Sequence, residues 1–209
     1  GMFQGSLAIP AFLGYTPKDR RARVFNHFDH AGAGRWFSQR VTRDACRDFR
    51  GRRGACYDEH DGVDYLLEAA FEGMDAGSTD IWAAAAGIVI DTEDGNYDRC
   101  HGDVETGEVD CDGFERTANS VTIEHSTGHQ TRYWHMQKDS VSVDVGDWVE
   151  AGDVLGRVGS SGNSTTPHLH FELQDASGAS IDPYAGPESH DESWWCDQGD
   201  PEGLPGYCD

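Results

Sequence analysis

The 209-residue sequence predicts a mainly β protein, an antiparallel β-sheet of the barrel-sandwich-hybrid kind with loop insertions. Glycine is frequent, at 26 residues, and aromatic and β-branched runs alternate with polar turn segments, as in proteins built from short strands. The segment 143–159, VDVGDWVEAGDVLGRVG, places two turns around a short strand, a pattern typical of barrel-sandwich folds such as biotinyl carriers. A carrier needs a lysine at the hairpin tip. This segment has none, so it predicts a fold and no carrier function.

Along the chain, the first 55 residues are predicted to be irregular, apart from some helical character at 38–49. Helical spacing of apolar residues predicts a short helix over 66–74. Residues 92–117 are acidic and glycine-rich and are predicted to form a surface loop, and residues 185–209 a tail that wraps the domain. Apolar runs between turn signals predict strands at 81–91, 120–125, 129–135, 148–151, 154–158 and 168–174. The turns are marked by Gly128, Gly146, Gly152, Gly162 and Gly178.

The net charge of −22 is distributed unevenly. Residues 1–53 hold 11 basic and four acidic side chains, whereas residues 54–209 hold five basic and 34 acidic ones. We expect the arginine-rich segment to pack against the acidic body. Because the body would repel phosphate, nucleic-acid binding is disfavoured, as is binding to anionic membrane surfaces. No run approaches the roughly 20 apolar residues of a membrane span.

Six cysteines fall into three sequence-local pairs, and none forms a C-x-x-C motif. We expect disulfides between Cys46 and Cys56, Cys100 and Cys111, and Cys196 and Cys208, chosen among 15 connectivities. Such pairing predicts an oxidised, exported protein, secreted or periplasmic. The start of the sequence, GMFQ, shows no basic segment followed by an apolar one, so either a signal peptide has been removed or the sequence itself does not show export.

Three short polar signals could meet at one metal ion: HDGVD at 60–64, YWHM at 133–136 and HLHFE at 168–172. Catalytic zinc takes three protein ligands, usually histidines and a carboxylate, and leaves one position open. His60, Asp64 and either His168 or His170 would supply this set. The other two histidines of these signals, His135 and whichever of His168 and His170 is not a ligand, would be left for acid–base chemistry.

The spacing within each signal supports this hypothesis to a different degree. His168 and His170 are two residues apart, so on a strand they face one cleft while Leu169 and Phe171 face the core. His60 and Asp64 can chelate one ion from a helical turn or from a tight loop entering a strand. Taken alone, a His-x-x-x-Asp pattern is weak in so acidic a chain. Only the joint pattern predicts a site.

Taken together, HDGVD, SVTIEHSTGHQTRYWHM, VSVDVGDWVEAGDVLGRVGSSGNSTTPHLHFEL and IDPY resemble the lysostaphin-type (LytM-like) zinc endopeptidases, which hydrolyse peptide bonds in bacterial peptidoglycan. The resemblance covers about residues 57–184 and implies an open antiparallel sheet with a cleft. It also implies that His60, Asp64 and His170 bind Zn²⁺ and that His135 and His168 act in catalysis.

The resemblance divides the chain into an arginine-rich extension (1–56), a zinc peptidase domain (57–184) and a disulfide-anchored tail (185–209). Segments 66–77 and 92–117 are insertions relative to the family, and we expect both near the cleft walls. Residues 1–56 could occlude the cleft, as a pro-segment does, or brace the domain. The alternative function is an inactive or latent member that binds peptidoglycan or regulates another hydrolase; such proteins typically lack a ligand, and here all five positions are filled.

Overall fold

The computed structural model describes residues 12–13, 22–31, 46–57, 59–77 and 79–206. Within these residues the chain is mostly antiparallel β-structure with one short helix, which confirms the predicted fold class. The elements in chain order are β1 (Phe12–Leu13), β2 (Ala22–Asn26), β3 (Val63–Leu67), α1 (Ala70–Asp75), β4 (Asp80–Trp82), β5 (Gly87–Glu93), β6 (His101–Asp103), β7 (Glu108–Asp110), β8 (Ser120–Glu124), β9 (Gln130–Trp134), β10 (Trp148–Val149), β11 (Val154–Arg157), β12 (His168–Gln174) and β13 (Ser180–Ile181).

The main sheet has the strand order β10-β5-β8-β9-β12-β3-β2, with β13 pairing alongside β12. A second, three-stranded sheet has the order β1-β4-β11, and β6 and β7 form a separate hairpin. One hydrophobic core joins residues of both larger sheets, including Ile81, Leu155, Tyr133 and Phe171. The site described below lies on the opposite face of the main sheet, because its side chains alternate with these core residues.

Strand β12 shows this alternation clearly. Leu169, Phe171 and Leu173 are fully buried in the core, as predicted for the first two, while His168 and His170 point to the other face. Because β12 pairs with β3 on one side and β9 on the other, its backbone is fixed from both edges. The strand therefore positions its outward side chains firmly.

Several element predictions need correction. The strand predicted at 81–91 is two strands, β4 and β5, separated by the buried alanines 83–85, where the Ala84 N–H donates to the Tyr133 hydroxyl at 2.9 Å. The helix predicted at 66–74 begins only at Ala70, because β3 continues through Leu67 to pair with β2 and β12. Of the helical character predicted at 38–49, residues 46–49 are not helical and residues 38–45 lie outside the described residues.

The N-terminal segment is less irregular than predicted, because β2 adds an edge strand to the main sheet beside β3. Arg52 pairs with Glu202 of the tail at 3.0 Å, one instance of the expected contact between the basic segment and the acidic body. The disulfides Cys46–Cys56 and Cys100–Cys111 are present as predicted. The third predicted pair includes Cys208, which lies outside the described residues. No helix in the described part of the chain has the length and apolar character needed to cross a bilayer.

Candidate metal centre

Three buried side chains bring one donor atom each to a common point. His60 Nε2 lies 3.1 Å from Asp64 Oδ1 and 3.2 Å from His170 Nδ1, and His170 Nδ1 lies 3.0 Å from Asp64 Oδ1. Ligands held about 2.0–2.2 Å from a tetrahedral zinc ion lie about 3.3–3.6 Å from one another. The observed triangle is close to that size, and its two imidazoles and one carboxylate are ligands that zinc accepts. The residues present therefore fit a zinc ion.

Strand register explains why these residues meet. His170 on β12 is the direct cross-strand partner of Asp64 on β3, so their side chains share one face of the sheet. His60 joins them from the loop that leads into β3, which is the second of the two arrangements expected from the sequence. Gly62 lets this loop approach, since a Cβ there would lie 2.5 Å from the Phe171 carbonyl oxygen and 2.7 Å from His170 Cε1.

Each predicted ligand is oriented by a second contact, as is usual for metal-binding residues. His60 Nδ1–H donates to the His27 carbonyl oxygen at 2.7 Å, which leaves the Nε2 lone pair for the site. The Asn26 amide donates to Asp64 Oδ2 at 2.8 Å and leaves Oδ1 facing the two histidines. His170 Nε2 lies 3.5 Å from Asp61 Oδ1, on the side of the ring away from the site.

The electrostatics of this point favour positive charge. Burial opposes a charged His170, but hydrogen bonds to Asp61 and Asp64 outweigh it and raise its pKa to about 10. Burial also opposes ionisation of Asp64, yet the surrounding histidines, His60 first, hold its pKa well below the usual value. A bound divalent cation would satisfy the same demand for positive charge.

Two more histidines stand beside the three donor atoms. His135 Nδ1–H donates to the Ser161 carbonyl at 2.7 Å, and His168 Nδ1–H donates to the Thr166 carbonyl at 2.8 Å. The two rings lie 4.6 Å apart and both line the cleft. In this tautomer each neutral ring keeps an unprotonated Nε2, the form that a general base requires.

Burial is the main reason that these two rings favour the neutral form. It lowers the pKa of His135 well below the usual value, with His168 and His170 adding to the effect. Burial also lowers the pKa of His168, although Asp64, 3.6 Å from its Nε2, opposes the shift. His135 follows β9 with a φ of 68°, a left-handed conformation that is uncommon outside glycine and concentrates at functional sites.

The cleft beside these histidines is walled by segments outside the ligand-bearing strands. The β6–β7 hairpin lies in the predicted 92–117 insertion and is stapled by the Cys100–Cys111 disulfide. The hairpin lines part of the cleft, and β2 contributes Phe25 and Asn26 to its lining. The 66–77 insertion supports the base of the β6–β7 hairpin, because Asp75 of α1 pairs with Arg99 at 2.6 Å and the Phe71 ring lies under the same guanidinium. The wall residues of the hairpin are Val104, Gly107 and Val109.

The structure thus brings together all five residues predicted from the sequence. Sequence reasoning missed Asn26, whose contact with Asp64 spans 38 positions of the chain. It also missed His27, which takes part through its backbone carbonyl rather than its ring. Neither residue belongs to a motif, so no signal in a single sequence identifies them.

The sequence matches a known protein family over the part of the chain that contains these five residues. Peptidase family M23 matches residues 58–183. Peptidoglycan DD-endopeptidase ShyC of Vibrio cholerae is 32% identical over 114 residues, which cover 54% of this chain and 20% of that protein. Lysostaphin of Staphylococcus simulans is 30% identical over 113 residues, which cover 54% of this chain and 17% of lysostaphin.

The crystallised catalytic domain of lysostaphin from Staphylococcus simulans is 28% identical to this chain, with a TM-score of 0.40. That likeness covers 60% of this chain and 76% of the lysostaphin domain. The chain matches about a fifth of the length of the curated relatives ShyC and lysostaphin.

Proposed function

The chain belongs to peptidase family M23, and from this premise we propose that it is a zinc-dependent endopeptidase that hydrolyses peptide bonds in bacterial peptidoglycan. The observation that carries the proposal is the convergence of His60, Asp64 and His170 beside two further histidines in one cleft. The name of the relative ShyC supports the substrate class, since it is a peptidoglycan DD-endopeptidase.

His60 Nε2, Asp64 Oδ1 and His170 Nδ1 would hold the zinc ion. When bound there, zinc supplies Lewis acidity toward a carbonyl oxygen and lowers the pKa of a coordinated water. The neighbouring contacts keep this set in place, because the His27 carbonyl fixes the tautomer of His60 and the Asn26 amide fixes the rotation of the Asp64 carboxylate.

His135 and His168 would perform the proton transfers. Each presents an unprotonated Nε2 when neutral, so one can accept a proton from the attacking water and later return it to the leaving amine. Backbone carbonyls hold both rings, which reduces the reorganisation needed during the reaction. A protonated ring can also donate a hydrogen bond to the oxyanion that develops on the scissile carbonyl.

We further propose that the peptidase domain runs over residues 57–184 and that the protein acts in an oxidising compartment, secreted or periplasmic. Two disulfides support the compartment, since such bonds persist outside the reducing cytosol. For residues 1–56, the described part supports a bracing role, because β2 completes the sheet edge and Asn26 contacts the candidate ligand Asp64.

The proposal can be tested with purified peptidoglycan sacculi and the zinc-loaded protein. Mass spectrometry of released fragments should reveal new amine termini, which also identify the bond that is cut. His135→Ala should retain stoichiometric zinc and release nothing, whereas Asp64→Ala should lose both zinc and activity. Loss of zinc in His135→Ala would contradict the assignment of His135, and no release by the zinc-loaded wild-type protein would contradict the proposed function.

A further inference from the structure

The face of the sheet that carries the candidate metal centre continues across β9. His170 on β12 is the direct cross-strand partner of Trp134, and Glu172 is the partner of Arg132. Direct partners in antiparallel strands point to the same face. Trp134 and Arg132 therefore lie beside the metal centre, on the side opposite to Asp64.

Arg132 is held in a defined position on this face. Its Nη1 donates to Glu172 Oε2 at 3.0 Å, and its guanidinium lies 4.6 Å from the centre of the Trp134 ring. Glu172 is itself fixed, because its other oxygen accepts hydrogen bonds from Gln174 at 2.8 Å and Ser180 at 2.5 Å. The guanidinium plane is thus oriented before any ligand arrives.

Most of the hydrogen-bonding capacity of Arg132 remains available. A guanidinium has five N–H donors, and among the described residues the one side-chain hydrogen bond of Arg132 is that to Glu172. Its side chain is 29% exposed, whereas that of Glu172 is 3% exposed. The arginine therefore presents free donors to solvent while its counter-ion is buried beneath it.

The surroundings make this cation distinctive. Residues 54–209 contain only five basic side chains. Among the other four, Arg99 pairs with Asp75 and Arg157 pairs with Asp80, and both pairs lie outside the strands β8, β9 and β12. On the row that contains Arg132, the register places Thr122 and then the exposed Asp91. A negatively charged ligand group would be repelled at Asp91 and attracted at Arg132.

We propose that Arg132, oriented by Glu172 and Trp134, is a binding residue for a carboxylate of the peptide substrate. The inference rests on the proposed function and narrows the substrate class to peptides with a free carboxylate near the scissile bond. The planar guanidinium of arginine can bind a carboxylate through two parallel hydrogen bonds. Contact with one face of the Trp134 ring keeps the guanidinium of Arg132 in place for this binding.

The distance between Arg132 and the candidate metal centre defines which carboxylate of the substrate can reach Arg132. The Trp134 ring centre lies 6.1 Å from that of His170 and 4.6 Å from the Arg132 guanidinium. An extended peptide advances about 3.3–3.6 Å per residue, so the carboxylate belongs to a residue within about three positions of the scissile bond.

The test compares two forms of one substrate, a cross-linked peptide dimer from peptidoglycan with free carboxylates and the same dimer with carboxamides. We expect wild-type kcat/KM to be at least about tenfold higher for the carboxylate form, through KM, since a charge-assisted hydrogen bond is lost in the other. Arg132→Gln should abolish this preference by slowing only the carboxylate form, and Arg132→Lys should retain part of it. Arg157→Gln, another exposed arginine paired with a carboxylate, is the matched control and should keep the preference.

A purely structural role for Arg132 would give a different result. If Arg132→Gln slows both forms equally, or if the wild-type protein does not distinguish them, the carboxylate site is wrong while the peptidase function stands. Circular dichroism and thermal unfolding of each variant show whether the fold is retained.

A binding measurement separates this inference from the proposed function. Calorimetric titration of both dimers into zinc-loaded His135→Ala protein, with Arg132 present or replaced in addition by Gln, does not depend on turnover. If the wild-type protein cleaves neither dimer, the proposed function fails, yet tighter binding of the carboxylate form only where Arg132 is present would still support the site. Equal binding of the two forms, or no binding of the carboxylate form, overturns it.

Discussion

Gly62→Ala is the substitution whose effect on the candidate metal centre follows most directly from the structure. An added Cβ at this position would lie 2.5 Å from the Phe171 carbonyl oxygen, 2.7 Å from His170 Cε1 and 2.9 Å from His170 Nε2. Ordinary contacts between such atoms are about 3.5 Å or longer, so something must move by about 1 Å. Phe171 lies in the middle of β12, which is paired on both sides, so its backbone cannot yield easily.

The displacement therefore falls on the His170 ring or on the loop that carries His60. Either movement opens the triangle of donor atoms, whose separations are 3.0–3.2 Å. Disturbing the support of a metal ligand typically costs 10–100-fold in affinity, or about 1.4–2.7 kcal/mol. We expect a loss of zinc affinity in this range or above, together with about 1–3 kcal/mol of stability from overpacking.

Zinc affinity is measured by competition with a chromogenic chelator, and stability by urea unfolding of the zinc-free protein. Gly203→Ala is the matched control, because an added Cβ there would meet its nearest neighbour at 3.6 Å and the backbone is not left-handed. If Gly62→Ala binds zinc as tightly as Gly203→Ala, the close approach of this loop to His170 does not support the site and the reasoning is refuted.

Two further predictions concern the supports of the cleft, and a third concerns a carboxylate that stabilises the N-terminal segment. Asn26→Ala should weaken zinc binding about 10–100-fold without unfolding the protein, because it removes the hydrogen bond that orients Asp64; unchanged chelator competition would count against it. The double variant Cys100→Ser, Cys111→Ser should lose about 2–3 kcal/mol of stability in thermal unfolding. It should also raise KM, because the hairpin that lines the cleft is no longer held by its disulfide. An unchanged KM would show that the hairpin does not contribute to substrate binding. Burial opposes ionisation of Asp48, but hydrogen bonds from the Arg52 backbone and from Arg50 outweigh it and hold the pKa of this carboxyl below the usual value. The ionised Asp48 therefore stabilises the fold above about pH 4, and this stabilisation is lost as the pH falls further. Asp48→Asn should therefore lower stability at pH 7 by about 1–2 kcal/mol and flatten the acid limb of a stability–pH profile, and parallel profiles for the two proteins would contradict this.

The residues proposed as ligands could be predicted because strands impose a two-residue period on a sequence. Two histidines that flank Leu169 must share a face, and a face that contains two histidines is exposed to a cleft rather than to the core. The assignment of His170 instead of His168 came from family resemblance. The structure supports it physically, because His170 is opposite Asp64 in the register whereas His168 is opposite Leu66.

The support of the site could not be predicted, because it depends on pairing between distant segments. Asn26 faces Asp64 only because the register between β2 and β3 shifts between Val24 and Asn26. Such a bulge re-aims a side chain and leaves no mark in a hydrophobic pattern. The split of 81–91 into two strands was missed for a related reason: the buried alanines are apolar, but a hydrogen bond to Tyr133 takes the place of a ladder bond at Ala84.

Both functions proposed for this face depend on the register of β12. Strand β3 supplies Asp64 opposite His170, while β9 supplies Trp134 opposite His170 and Arg132 opposite Glu172. A slip of one residue in either pairing would turn the partner side chains to the core. The buried residues that alternate with them, Leu169 and Phe171, oppose such a slip because it would expose them to water. The apolar half of β12 thus keeps the candidate metal ligands and the carboxylate-binding arginine in register with one another, so a peptide laid across these strands would meet both.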